Sequence, residues 1–314
     1  MSSSEPLDIK NYIGLTGDTP IRFIASDVDG TLVNDAKSVD PEVVSAVRAA
    51  RESGIRVAIA SGRAWHEMDD VIDAMPCLRY FVCTNGAYVM DKEEQKELVH
   101  ISLDKTRAID LVRKLMTYGV FVEAYVKAEI FGQYPTVGNE TLQSEHFFRA
   151  NIRPFILKTR TMVPDLLAHL ESLPEGPEKI QIFYGDERIR ERILADLRDD
   201  FQGAATDDKG RERFYDVLES SEGNLEFVLP HTTKGTAVEA LANHWGYTPD
   251  EVMTIGDSEN DLSMIRFAGA SVAMGNARDN VKAAARYATT DNNNYGVARA
   301  LYSAIAHNRE LEGK

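Results

Sequence analysis

Two stretches of this chain alternate short apolar runs with helical periodicity, and a longer stretch between them does not. The first opens with Ile21-Arg22-Phe23-Ile24-Ala25, a run of strand length with β-branched and aromatic residues, which breaks off at Asp27. Asp40-Pro41 then supplies an N-cap and a proline at the first helical position. Val43, Val44, Val47 and Ala50 follow at helical spacing, and Gly54 closes that helix. Ile55 to Ala60 is a second buried strand and runs into Ser61-Gly62-Arg63, where another helix is predicted to start. Tyr80 to Cys83 is a third strand, ending at Thr84-Asn85-Gly86. This alternation predicts a parallel sheet with helices on its faces.

After Gly86 the pattern loosens. Asp91 to Glu97 is a charge run that reads as a solvated hairpin tip. Helices are expected over Lys105–Tyr118, Val163–Leu173 and Glu187–Phe201, with strands at Val120–Val126, Lys179–Tyr184, Arg213–Leu218 and Asn224–Leu229. We read residues 87–228 as a separate α/β unit, richer in antiparallel pairs, inserted into the first. From Thr232 the first texture returns, with strands at Val252–Ile255, Ser271–Met274 and Tyr287–Thr289 set between helices, the last running from about Tyr295 to His307. The expected organisation is a loosely ordered leader over 1–20, a core of 21–86 and 229–314, and the insertion over 87–228.

Composition narrows the function without naming it. The net charge of −15 over 314 residues argues against a nucleic-acid surface, and an anionic substrate would need local cations or a metal. No apolar run reaches the roughly 18 residues needed to span a membrane, and the polar first 20 residues resemble no signal peptide, so a cytoplasmic location is expected. Cys77 and Cys83 match no metal or redox spacing and read as reduced thiols near the core. Asn139-Glu140-Thr141 has the form of a glycosylation acceptor, which has no meaning without secretion.

Candidate chemistry gathers at strand ends, where open α/β sheets bind ligands. The first strand delivers Asp27 and Asp29, with Gly30 giving the backbone freedom to turn and Thr31 following. The second offers the Ser61 hydroxyl and the amides that follow it, beginning with Gly62, at a predicted helix start. Lys234 stands at another helix start, and the strand ending at Gly256 leads into Asp257-Ser258-Glu259-Asn260-Asp261. Each piece alone reads as a turn, a helix cap or a surface charge; together, at the ends of one parallel sheet, they fit phosphoryl transfer. Asp27, Asp257 and Asp261 are oxygen ligands suited to a hard cation such as Mg²⁺, and Ser61 and Lys234 suit phosphate oxygens. One Asp would attack phosphorus while the other exchanges protons with the leaving group and water.

These motifs carry a resemblance. Asp27-Val28-Asp29-Gly30-Thr31, Ala60-Ser61-Gly62-Arg63, Asn85-Gly86-Ala87, Thr233-Lys234-Gly235 and Gly256-Asp257-Ser258-Glu259-Asn260-Asp261 resemble, in order, the motifs of the haloacid dehalogenase superfamily. Ala273-Met274-Gly275-Asn276-Ala277 is similar to a segment of its Cof-type phosphatases. The resemblance implies a Rossmann-like parallel-sheet core with an inserted α/β cap that reads the substrate. It implies Asp27 as nucleophile and Mg²⁺ ligand, and Asp29 as acid/base with its backbone carbonyl on the metal. It further implies Asp257 and Asp261 at the metal, Ser61, Gly62, Lys234 and Asn260 at phosphate, and Asn85 at the core–cap junction. The cap, the leader and Asn292-Asn293-Asn294-Tyr295 match loosely or not at all.

The expected activity is a Mg²⁺-dependent phosphatase acting on a small phosphorylated metabolite, with sugar phosphates the favoured class. A phosphomutase using the same aspartyl-phosphate, a dehalogenase and a non-catalytic phosphometabolite sensor are the alternatives; the dehalogenase would not need the second Asp, the metal acids or the phosphate grip. The expected partner is a small molecule rather than nucleic acid or membrane. His66 reads as structural, and Tyr125, Arg149, Lys179 and Tyr184 are the insertion's candidate substrate contacts.

Overall fold

The computed structural model describes residues 7–127, 129–137, 140–148, 153–198, 214–219 and 223–313. Asn139, Arg149 and residues 1–6 of the leader lie outside them. Contacts divide the chain into two compact units: residues 1–63, 68–99 and 233–314, and residues 64–67 with 100–232.

The first unit begins with β1 (Phe23–Ser26), α1 (Pro41–Glu52), β2 (Arg56–Ala60), α2 (Asp69–Ala74) and β3 (Tyr80–Cys83). The cap expected for α1 is present: the Asp40 carboxylate accepts from the Glu42 amide at 2.9 Å, and Gly54 follows at φ +86°. β4 (Tyr88–Asp91) and β5 (Lys96–His100) form the hairpin expected around the charge run. β4 pairs antiparallel with β3, Cys83 opposite Tyr88, so the first sheet continues past residue 86, and residues 88–99 belong to this unit rather than to the insertion.

The second unit is made of α3 (Lys105–Met116), β6 (Phe121–Val126), β7 (Glu129–Gln133), β8 (Thr136–Val137), β9 (Glu140–Thr141), α4 (Arg153–Thr159), β10 (Thr161–Met162), α5 (Leu166–Ser172), β11 (Lys179–Phe183), α6 (Glu187–Asp196), β12 (Asp216–Leu218) and β13 (Asn224–Val228). Its main sheet runs β10-β7-β6-β11-β13-β12 and is antiparallel except for the β7–β10 pair. Alternation along the strands sorts two faces. Val122, Ala124, Ile180, Ile182, Leu225 and Phe227 pack with Val112 and Leu115 of α3 and Leu166 and Leu170 of α5. Glu123, Tyr125, Lys179 and Gln181 are buried from alternate positions, and Arg160 bridges Glu123 (Nε–Oε2 3.0 Å) and Glu67 (Nη1–Oε1 2.5 Å).

The chain then returns to the first unit through α7 (Lys234–His244), β14 (Val252–Gly256), α8 (Leu262–Phe267), β15 (Ala270–Ala273), α9 (Asp279–Ala284), β16 (Tyr287–Ala288) and α10 (Gly296–Glu312). Among the described residues its sheet has eight strands in the order β16-β15-β14-β1-β2-β3-β4-β5. β1 is central and parallel to both neighbours, Phe23 standing opposite Val252 on one side and Arg56 on the other. Phe23, Ala25, Ala58, Ala60 and Val82 meet Ala237, Val238 and Leu241 of α7, while α1 packs on α10 elsewhere in the unit. A Rossmann-like α/β core is the result.

Two local expectations are corrected. The chain does not enter a helix at Ser61: a turn and a 3₁₀ segment, Trp65–Met68, precede α2 at Asp69. The Glu67 carboxylate satisfies the Ala64 amide at 2.9 Å, and the Thr84 amide takes the Arg63 carbonyl at 2.9 Å, so these backbone groups are paired outside a helix. Nor are residues 7–20 loose. The Leu7 amide donates to Glu42 at 3.1 Å, the Ile13 amide to the Ser303 hydroxyl at 3.1 Å, and His307 Nε2 lies 3.1 Å from the Thr19 carbonyl. Side-chain partners on α1 and α10, which periodicity does not reveal, tie this segment down.

Candidate active site

Asp27 extends the β1 ladder by one bond, its amide donating to the Ile255 carbonyl at 2.9 Å, and so stands at the carboxyl edge of the sheet. The chain then turns at once. The amides of Thr31, Leu32 and Val33 all converge on the Val28 carbonyl at 3.0–3.3 Å. Gly30 sits at φ +77°, and a Cβ there would lie 2.5 Å from Asp257 Oδ2. This position therefore needs glycine for both conformation and space.

Lys234 is the first residue of α7, whose N-cap Thr233 accepts from the Thr236 amide. A cation at a helix N-terminus opposes the helix dipole, and burial penalises it further. Two carboxylates offset both costs: Nζ lies 2.6 Å from Asp27 Oδ1 and 2.7 Å from Asp261 Oδ1, with Lys234 only 1% exposed. The ammonium's pKa is raised overall, since Asp27 and Asp261 outweigh the burial that works to lower it. Asp261 is fixed from its other side, Oδ2 accepting from the amides of Asp257 and Ser258 at 2.9 and 3.0 Å. Thr31 Oγ1 reaches Asp257 Oδ1 at 3.4 Å.

The charge count does not close. Asp27, Asp257 and Asp261 bring ligand oxygens within 4.8 Å of one another, and Lys234 answers one of three negative charges. Asp27 Oδ2 is buried without a hydrogen-bond partner. Burial, then the charge of Asp261, push the Asp27 carboxyl up to about 7 against the pull of Lys234. Asp257 is also raised, by burial first and by Asp261 second. An orphaned carboxylate oxygen among excess acids is the environment a hard divalent cation relieves, and the all-oxygen donor set suits Mg²⁺.

Asp29 lies outside that triad. Arg63 grips it in a fork, Nε to Oδ2 at 2.8 Å and Nη2 to Oδ1 at 2.7 Å, and Lys37 approaches Oδ1 at 3.4 Å. Burial works to raise its pKa, but Arg63 and then Lys37 hold it below the ordinary carboxylate value. Neither Arg63, next to Gly62, nor Lys37, in the loop after Asp29, stands out by local pattern in the sequence. The signal was electrostatic: paired acids need an answering cation.

The remaining expected residues take these places. Ser61 is buried at the end of β2, its amide donating to the Val82 carbonyl at 2.8 Å and its hydroxyl accepting from the Arg63 amide at 3.1 Å. Asn85 adopts φ 52°, ψ 27° and lies against Gly62, where a Cβ would meet its side chain at 3.2 Å. Asn260 donates to Asn85 Oδ1 at 3.2 Å, which joins the ends of β3 and β14. In the second unit the Lys179 ammonium lies over the Tyr125 ring, 3.9 Å from its centroid. Tyr184 instead packs in that unit's helix-side core, its hydroxyl on Glu219 at 3.2 Å. Among the described residues no helix is long and apolar enough to cross a membrane.

Comparison with known proteins identifies the family. The sequence model of the haloacid dehalogenase-like hydrolase family matches residues 24–301. Phosphatase YwpJ of Bacillus subtilis is 30% identical over 90% of this chain and 99% of its own length. The 5-amino-6-(5-phospho-D-ribitylamino)uracil phosphatase YcsE of the same organism is 28% identical over 90% and 96%. A crystal structure of a haloacid dehalogenase-like hydrolase from Bacteroides thetaiotaomicron superposes with a TM-score of 0.74 at 28% identity, covering 90% of this chain and 98% of its own.

Proposed function

Given that this chain belongs to the haloacid dehalogenase superfamily, among its Cof-type phosphatases, and is a phosphoric monoester hydrolase, we propose that it is Mg²⁺-dependent and prefers sugar phosphates. In this reading it works through an aspartyl-phosphate on Asp27. The observation that carries it is the split environment of Asp27: Oδ1 tethered to Lys234, Oδ2 buried and unpartnered. A tethered carboxylate with one uncommitted oxygen is a preorganised nucleophile.

Asp27, Asp257 and Asp261, with the Asp29 carbonyl, would hold the cation, whose role is to neutralise the repulsion between carboxylate and phosphate. Ser61, the Gly62 amide, Lys234 and Asn260 would grip the phosphoryl oxygens. Asp29, which Arg63 keeps ionised in this geometry, would first take up a proton from solvent as substrate binds. An Asp27 oxygen then attacks phosphorus, the bond from phosphorus to the ester oxygen breaks, and Asp29 delivers that proton to the departing alkoxide. Asp29, now a carboxylate in the form Arg63 favours, takes a proton from water as the water oxygen attacks the acyl phosphate. The bond between Asp27 and phosphorus breaks, and phosphate leaves. The inserted unit supplies substrate selection, with Tyr125 and Lys179 as its candidate contacts. The sugar-phosphate preference keeps to the relative whose named substrate is a phosphoribityl compound.

A screen of phosphorylated metabolites with and without Mg²⁺, with identification of products, tests the reading. Free phosphate is expected, rather than an isomerised phosphosugar, and activity should disappear with a chelator. Asp257→Ala should lower turnover by orders of magnitude, with partial rescue by excess metal. Chelator-resistant wild-type activity would remove the metal from the mechanism.

A further inference from the structure

The asparagine run Asn292-Asn293-Asn294 and the Asn276 amide have no part in the chemistry above, yet both bear on the turn that carries Asp29. Asn276 Nδ2 donates to the Gly30 carbonyl at 2.7 Å. Its Oδ1 accepts from the Asn292 amide at 3.2 Å. Asn292 Nδ2 in turn donates to the Val33 carbonyl at 3.1 Å and to Asp35 Oδ1 at 3.2 Å. Asn293 closes the far end, donating to Asp35 Oδ2 at 3.0 Å and accepting from the Asp35 amide at 3.1 Å. Asn294 braces the loop itself, its amide on both oxygens of Asp291 at 2.9 Å.

The carbonyls gripped are those of Gly30, one residue after Asp29, and Val33, at the end of the same turn. Inside the turn three amides share one acceptor, the Val28 carbonyl, a bonding scheme that leaves its outer carbonyls to outside donors. Asn276 must donate to one backbone group and accept from another, and among side chains of this length only an amide does both; Asp offers no donor. The 276 segment also reaches the other acidic strand end, since the Arg278 amide donates to the Asp257 carbonyl at 3.0 Å.

We propose that Asn276 and Asn292 are positioning residues that aim the Asp29 carboxylate by clamping the two carbonyls of its turn. This rests on the reading of Asp29 as the acid/base group. Loss of the clamp should blunt steps that need a proton moved and spare attack by Asp27. An ordinary structural role would depress every step alike.

The experiment uses the full chain with Mg²⁺ and compares wild type with Asn276→Ala, Asn276→Asp and Asn292→Ala. The alkyl ester is glycerol phosphate, or the fastest alkyl ester of the screen; the aryl ester is p-nitrophenyl phosphate, whose leaving group needs no proton. In Asn276→Ala, first-turnover release of the alcohol should fall by about tenfold or more, part of the 10²–10⁴ that acid–base help supplies. The first-turnover burst of p-nitrophenolate should change by less than about threefold, and KM should hardly move. Asn276→Asp, which keeps the shape and loses the donor, should behave like the alanine variant. Asn292→Ala should show the same selective loss to a smaller extent, and it stands in if an Asn276 variant fails to fold. Amide exchange over residues 28–35, read without substrate or metal, should quicken in each variant. Equal loss on both esters, wild-type turnover by Asn276→Asp, or unchanged exchange overturns the proposal. Wild-type protein inert toward every phosphate would instead sink the phosphatase reading itself.

Discussion

At the scale of single residues, the site is a problem in charge placement. Asp27 shares Lys234 with Asp261, and its carboxyl is raised from 3.8 to about 7 by burial and by Asp261. The sign follows from linkage: the folded protein holds this proton where the unfolded chain has lost it. The resulting stability is fully present below about pH 4 and is lost as pH rises through about 7. A cation binding at Asp27 must displace the same proton. Mg²⁺ affinity should therefore climb between pH 5 and pH 8, with proton release below pH 7, as calorimetry in buffers of different ionisation heat will record. The two aspartates separate under mutation. After incubation with acetyl phosphate and Mg²⁺, intact mass should show no phosphate on Asp27→Asn. Asp29→Asn should accumulate a hydroxylamine-labile adduct, and its turnover of alkyl phosphates should drop by about 10²–10⁴-fold. Normal alkyl turnover by Asp29→Asn would overturn the assignment of roles.

At the scale of elements, the site depends on helices that approach more closely than side chains usually permit. A Cβ on Gly235, in the first turn of α7, would lie 2.5 Å from the backbone carbon of Ser263 in α8. Gly86 sits at φ +106°, and a Cβ there would lie 2.4 Å from the Thr233 carbonyl oxygen. Gly235→Ala should thus cost about 1–3 kcal/mol in denaturant melts and reduce turnover as well, because Lys234 moves with the helix. A melt and a rate both unchanged would mean that the helix contact yields without strain. Such glycines also mark what the chain made legible. Strands β1, β2, β3 and β14 and helix α1 are short, periodic and capped, and the sequence located them with the acids at their ends. Local pattern says nothing of a side chain whose partner is remote. The Arg63 grip on Asp29, the asparagine clamp and the anchoring of residues 7–20 all lie in that class. The turn that stands in place of the expected helix at Ser61 belongs there too, since the Arg63 carbonyl is taken by the amide of Thr84, 21 residues further on.

At the scale of the molecule, each unit has its own apolar core, one built on Phe23, Val82 and Val238, the other on Val112, Ile180 and Phe227. Replacing residues 100–232 by a short linker should leave a cooperatively folding protein that hydrolyses p-nitrophenyl phosphate slowly and discriminates poorly among sugar phosphates. Retained selectivity would place substrate reading in the first unit. The deletion needs Glu67→Gln beside it, because Ala64–Glu67 belongs to the second unit and Arg160 is lost with the insertion.

That four-residue membership also governs how such proteins can be recombined. Between residues 99 and 233 the insertion looks like one cassette, ready to be lifted into a relative. Transplanted alone it would carry Arg160 with Glu123 but without Glu67, and losing one hydrogen bond between charged groups costs about 1.5–3 kcal/mol. Chimeras should fold best when the donor's residues 64–67 travel with the cassette. A lineage that exchanged caps by recombination would need two crossovers beyond the two that move the cassette, or an acid already waiting at the recipient's equivalent of Glu67.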